Sequence, residues 1–189
     1  RYRALVLESF GVGGLPGGDD GAMFAAVRDF DARFTARKRE RKLLEFSDFE
    51  HLALRLLRTP EGMPTPLCEN IRKDYAAVMV DEYQDSNLIQ ETILTSVSRY
   101  SRGEYNIFMV GDVKQSIYKF RLARPELFLE KYDTYQESGD LCRIDLAKNF
   151  RSRVQVVDAV NDVFSRIMSR EIGGIAYDDK AALYPGATY

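Results

Sequence analysis

Two adjacent carboxylates, Asp81 and Glu82, follow the apolar run Ala76-Ala77-Val78-Met79-Val80 and open the pentad Asp81-Glu82-Tyr83-Gln84-Asp85. In open α/β sheets ligands collect at the carboxyl ends of strands, and an acidic pair placed there can divide labour. One carboxylate holds Mg²⁺, mainly through water, while its neighbour orients and deprotonates an attacking water. Taken alone, the pentad reads equally well as a solvated acidic turn. A second apolar run, Asn106 to Val110, leads into Gly111-Asp112 and then Val113-Lys114-Gln115-Ser116-Ile117-Tyr118-Lys119-Phe120-Arg121. Glycine permits a tight turn beside a ligand, and the Gln115 amide can sense a phosphate or a water. Tyr118 and Phe120 alternate with Lys119 and Arg121, offering aromatic faces for bases and cations for phosphates. By themselves such aromatics are more often core. The third segment, Lys148-Asn149-Phe150-Arg151-Ser152, sets an arginine just before a helix, from where it can reach a phosphate and neutralise developing charge. In isolation an arginine there is usually a surface cation.

The elements that must carry these residues follow from periodicity. Continuous apolar runs such as Ala76 to Val80 and Asn106 to Val110 suit strands buried on both faces of a parallel sheet. Leu88 to Tyr100 is long enough to be the crossover helix between them. A third strand is expected over Leu141 to Leu146, with Cys142 as a small buried residue. Ser152 and Gln155 then stand in capping-box spacing before a helix with Val156, Val160, Val163, Phe164 and Ile167 on one face.

The N-terminal part reads differently. Six glycines and Pro16 between Gly11 and Gly21 form a flexible linker. From there Met23, Phe24, Val27, Phe30 and Phe34 recur at helical spacing, predicting a helix from about residue 20 to 43 with Asp19 or Asp20 as its cap. Its end is basic, with Arg33, Arg37, Lys38, Arg39, Arg41 and Lys42 against Glu40. That run either tracks phosphates or is simply a solvated face. Ser47 and Glu50 have capping-box spacing before a second helix carrying Phe49, Leu52, Ala53, Leu56 and Leu57, and Leu67 to Lys73 predicts a short third one. His51 reads as packing or surface.

Composition limits the alternatives. The 189 residues are 45% hydrophobic and 30% charged, which excludes a disordered chain, and no apolar stretch approaches the ~18 residues of a membrane span. Two cysteines far apart and one histidine make no metal site. A net charge of −2 confines any nucleic-acid contact to local patches. The chain opens at Arg1 and reads as an internal piece of a larger protein.

Taken together, D-E-x-Q-D over 81–85, G-D-x-x-Q-S-I-Y-x-F-R over 111–121 and N-F-R-S over 149–152 resemble, in order, three motifs of superfamily 1 DNA helicases of the UvrD/RecB type. Phe46 to His51, Val80 to Asn87, Phe108 to Pro125 and Ile144 to Ser152 look most like the AddA/RexA helicase/nuclease branch. The resemblance covers roughly Ala36 to the C-terminus. It implies an α/β fold with a partial RecA-like P-loop NTPase parallel sheet, a helix-rich N-terminal part and the start of a second RecA-like domain. The implied boundaries are 1–44 for linker and accessory helix, 45–140 for part of the first RecA-like domain and 141–189 for the start of the second.

The resemblance also implies roles. Asp81 positions Mg²⁺ mainly through water, with Glu82 also at the ion and acting as catalytic base on the lytic water. Gln115 reports the γ-phosphate and Arg151 contacts it, and all four converge on one cleft. Asp85 and Arg121 couple the ATP site to DNA, and Tyr118, Phe120 and Lys119 face the DNA. The implied cofactors are ATP and Mg²⁺. The implied partners are single-stranded DNA, duplex ends and a second, AddB/RexB-type subunit of a heterodimer, in a bacterial, nucleoid-associated cytoplasmic setting without a membrane. Much of the broader family reads R-G-A where Arg121-Leu122-Ala123 stands here. No G-x-x-x-x-G-K-[ST] occurs, so the phosphate cradle and its lysine are missing and this piece by itself is expected to be inactive and to hold Mg²⁺ weakly. The competing readings are a UvrD-type helicase without nuclease and a helicase-like scaffold that does not hydrolyse ATP.

Overall fold

Helix-compatible residues without an interior proline run from Asp19 to Arg41 and form helix α1, which ends where Lys42 turns left-handed with φ 53°. The computed structural model describes residues 19–187, so the glycine-rich stretch up to residue 18 lies outside the described residues. The described part of the helix starts at Asp19. The chain separates into two compact units with the boundary between Asp74 and Tyr75, a different place from the motif-based boundaries after 44 and 140.

The first unit holds α1, α2 (Phe46–Leu57) and α3 (Pro66–Asp74). The expected Ser47–Glu50 capping box is displaced by two residues. Glu45 is the cap, Asp48 reaches back to the Glu45 amide at 2.8 Å, and Ser47 lies inside the helix, its carbonyl 2.7 Å from His51 Nδ1. Lys38 decides the shift, because its ammonium bonds both Glu45 and Asp48 and so fixes that turn. Those contacts raise the Lys38 pKa, through Asp48 first, while the Glu45 amide first and Lys38 second lower that of Asp48. Pro66 opens α3, where a missing amide proton costs nothing, and Leu54, Leu57, Cys68 and Arg72 are buried.

The second unit is a mixed, helix-rich arrangement with small parallel sheets. β1 (Val78–Val80) pairs with β2 (Ile107–Met109) in parallel, Val78 opposite Ile107 and Val80 opposite Met109, around the crossover helix α4 (Leu88–Val97). Asn87 caps α4 by accepting from the Ile89 and Gln90 amides, and the Gln90 side chain in turn accepts from the Asn87 amide. α5 (Pro125–Thr134), β3 (Lys148–Asn149), α6 (Val154–Ile167), the short α7 (Arg170–Gly173) and β4 (Tyr184–Pro185) follow, with β3 and β4 parallel.

Five expectations are corrected. The strands β1 and β2 are covered on one face only: alternate residues point to opposite faces, and the in-register Met79 and Phe108 are 75% and 52% exposed. Leu141 to Leu146 is not a strand, because its pairing is limited to a single bridge between Gln136 and Cys142, and the ladder forms instead at Lys148–Asn149. Cys142 is accordingly exposed. Ser152 does not cap α6: its amide and that of Arg151 donate to Asn149 Oδ1, and the helix starts after Arg153. On α6, Val157 is the buried position, whereas Val156, Val163 and Ile167 are exposed.

Candidate functional site

The ends of β1 and β2 are sewn together by backbone and side chain alike. The Val110 amide donates to the Val80 carbonyl at 2.8 Å and the Tyr83 amide to the Val110 carbonyl at 2.9 Å. Between them Glu82 adopts the left-handed conformation, φ 51°, and Tyr83–Asp85 forms one 3-10 turn. Such a backbone in a residue with a Cβ costs ~1–3 kcal/mol and is held by its surroundings. Here Asp81 Oδ1 accepts from the Glu82 amide at 2.9 Å, and Tyr83 is buried. The Tyr83 hydroxyl donates to Glu91, which also pairs with Lys131 at 2.9 Å, and the Lys131 ammonium lies over the Tyr83 ring. Burial first and Glu91 second push the Tyr83 pKa well above its ordinary value.

From this turn one continuous polar chain reaches the second motif. Gln84 Nε2 donates to Glu82 Oε2 at 2.7 Å, and Gln84 Oε1 accepts from the Asp112 amide at 2.9 Å. Asp112 Oδ2 accepts from Gln115 Nε2 at 3.1 Å, and its Oδ1 pairs with Lys114 at 2.9 Å. Glycine at 111 is required by contact, since a Cβ there would stand 2.7 Å from Gln84 Oε1 and 3.0 Å from the Phe128 ring. Asp85 Oδ1 is buried without a hydrogen-bond partner, and burial, then the Glu82 charge, raises the Asp85 pKa.

The structure thus joins Glu82 to Gln115, both with exposed side chains, and leaves Asp81 exposed beside them. Arg151 is exposed in the turn after β3, and the contacts that tie Glu82 to Gln115 do not include it. Tyr118 and Phe120 are not core: they are 38% and 76% exposed, their rings 6.1 Å apart, with Lys119 3.8 Å from Glu126. The Arg121 side chain lies outside the described part. Leu122 takes φ 66°, so the Arg121-Leu122-Ala123 stretch turns left-handed at a residue other than glycine. The basic end of α1 is partly neutralised, Arg37 by Glu40 and Lys38 by Glu45 and Asp48. Sequence reasoning missed Gln84, Asp112, Glu91 and Lys131. The signal for Gln84 was a glutamine two residues beyond a strand-end glutamate, a spacing that means little until the turn is known.

Residues 19–136 match the UvrD/REP helicase N-terminal domain. The chain belongs to the UvrD/REP helicase family. Because the match begins at residue 19, α1 belongs to that domain, and the resemblance extends further toward the N-terminus than Ala36. This UvrD/REP chain is 52% identical over 171 residues to the A subunit of the ATP-dependent helicase/nuclease of Lachnoclostridium phytofermentans, a match that covers 88% of the chain and 12% of that relative. The corresponding A subunit of Clostridium beijerinckii is 49% identical over 168 residues, 86% of the chain and 14% of the relative. That of Staphylococcus carnosus is 47% identical over 164 residues, 86% of the chain and 13% of the relative. The chain therefore spans only between 12% and 14% of the length of these relatives.

Proposed function

We propose that this chain is part of the ATP-hydrolysing motor in the A subunit of a DNA helicase/nuclease that processes DNA ends during recombinational repair of double-strand breaks. The observation that carries this reading is the polar chain Glu82–Gln84–Asp112–Gln115 at the adjoining carboxyl ends of two parallel strands. In this reading residues 45–140 belong to a first RecA-like domain, 141–189 begin a second, and 1–44 are linker and accessory helix. Glu82 takes the proton of the lytic water, Gln115 senses the γ-phosphate, and Arg151 neutralises charge developing on it. Asp85 and Arg121 couple this site to DNA, on which Tyr118 and Phe120 stack while Lys119 meets phosphates.

The side chains fit Mg²⁺ held jointly with nucleotide. Asp81 and Glu82 supply oxygen donors only, and among the described residues no group of three His, Cys, Asp or Glu side chains is gathered to hold an ion unaided. Mg²⁺ prefers this arrangement, keeping waters and sharing substrate phosphates, and when bound it neutralises charge on phosphate oxygens. The phosphate cradle is supplied by a part of the full-length protein other than these 189 residues. The partner is a second polypeptide of the AddB/RexB type, and the setting is the bacterial cytoplasm. Among the described residues no helix is long and apolar enough to cross a membrane.

The test uses the full-length protein that contains this chain. Glu82→Gln keeps shape and hydrogen bonding while removing basicity, so ATP still binds and turnover falls by ~10² or more. Turnover close to that of the unaltered protein would point to the non-hydrolysing scaffold.

A further inference from the structure

Gln84 is 1% exposed, and both ends of its amide are committed. Nε2 donates to the Glu82 carboxylate and Oε1 accepts from the Asp112 backbone amide. The orientation is dictated by chemistry: a flipped amide would set oxygen against carboxylate and NH₂ against N–H, losing both bonds. A buried glutamine that only filled space would be costly, since each unmatched polar atom in the interior costs ~1–3 kcal/mol. The cavity around it is closed as well, because the Gly111 position has no room for a Cβ between Gln84 and Phe128.

We propose that Gln84 is a positioning residue for ATP hydrolysis, aiming the Glu82 carboxylate and locking it to the strand end from which Asp112 holds Gln115. This rests on the reading of Glu82 as the base. Its donation to Oε2 leaves Oε1 to face the attacking water. Through Asp112 the same side chain ties the base to the phosphate-sensing amide, so movement at one strand end is felt at the other.

The experiment measures ATP turnover by the full-length protein against ATP concentration. Gln84→Met, similar in length but without the amide, lowers kcat ~10-fold or more and changes KM for ATP less than ~3-fold, because a misaimed base fails in the transition state and not in binding. Gln84→Glu keeps the volume and the acceptor facing Asp112, so it serves even if the Met variant does not fold. It replaces the NH₂ donor 2.7 Å from Glu82 Oε2 with a carboxyl oxygen, and lowers kcat with the same small change in KM. In a Glu82→Gln background, adding Gln84→Met costs no more than ~2-fold. A KM for ATP raised as much as kcat falls, or an equal loss from Gln84→Met in the Glu82→Gln background, would show a merely structural role and overturn the proposal. Unaltered turnover in both Gln84 variants, with Glu82→Gln inactive, would overturn it while leaving the Glu82 reading intact. An active Glu82→Gln would remove the reading on which it rests.

Discussion

Helix α1 and the joined ends of β1 and β2 distribute polarity in opposite ways. On α1, Met23, Val27, Phe30 and Phe34 are exposed, and the charges around them pair at the surface, Arg33 with Asp29 and Arg37 with Glu40. At the strand ends Gln84 and Ser86 are buried and Asp85 Oδ1 has no partner. Burying a phenylalanine is worth ~1.5–3 kcal/mol, an energy that Phe30 at 67% exposure largely forgoes within this chain. Burying an amide or a carboxylate costs energy unless every bond is matched. The difference separates where this sequence places its specificity from where it gains stability: the strand ends accept a penalty to hold side chains in one arrangement, and α1 accepts almost no constraint on its apolar surface.

The largest effect should test how far the functional region extends beyond the polar chain. Arg151 is outside the contacts between Glu82 and Gln115, yet Arg151→Ala in the full-length protein should lower ATP turnover by ~10³ or more. A phosphate-release assay in which turnover stays within a few fold would confine the chemistry to the strand ends.

Gly111→Ala sharpens the contrast in stability. The added Cβ meets Gln84 and Phe128, so thermal or denaturant unfolding of the 189-residue chain should show a loss of ~1–3 kcal/mol. A smaller loss would mean that the Gln84 pocket can relax, and that the strand ends are less constrained than their bonds imply.

Asp85 gives the pH dependence. Its folded pKa is raised by burial, so the folded state favours the protonated form, and ionised Asp85 costs stability. That cost is absent below the unfolded pKa and complete above the raised folded one. Asp85→Asn should therefore melt higher than the unaltered chain at neutral pH, with each kcal/mol worth ~2–4 °C, and the advantage should shrink as pH falls through that window. An advantage independent of pH would assign the effect to packing instead.

The smallest effect belongs to α1. Phe30→Lys should change stability of the 189-residue chain by no more than ~0.5 kcal/mol, since an exposed position away from caps and cores rarely matters more. A cost of several kcal/mol in the same unfolding measurement would break the comparison outright, because it would mean that this face is covered in solution.

Much of this molecule is legible in the chain alone. The crossover β1–α4–β2, the span of α1 and the order of the three motif segments follow from local signals: continuous apolar runs, a 3.6-residue period and turn-forming breaks. The inferences that failed each needed a neighbour. Leu141 to Leu146 has the composition of a strand but only a bridge for a partner, and the Ser152 and Ser47 caps yielded to Asn149 in one case and to Glu45 and Asp48 in the other. The sequence by itself determined which residues stand at the strand ends and hence the family. Only the tertiary structure decided that Gln84 joins Glu82 to Asp112, that Glu82 and Leu122 turn left-handed, and that Asp85 Oδ1 is buried without a partner. Motif identity is written residue by residue along the chain, whereas burial and hydrogen-bond pairing depend on segments nearly thirty residues apart meeting in space, as Gln84 and Asp112 do.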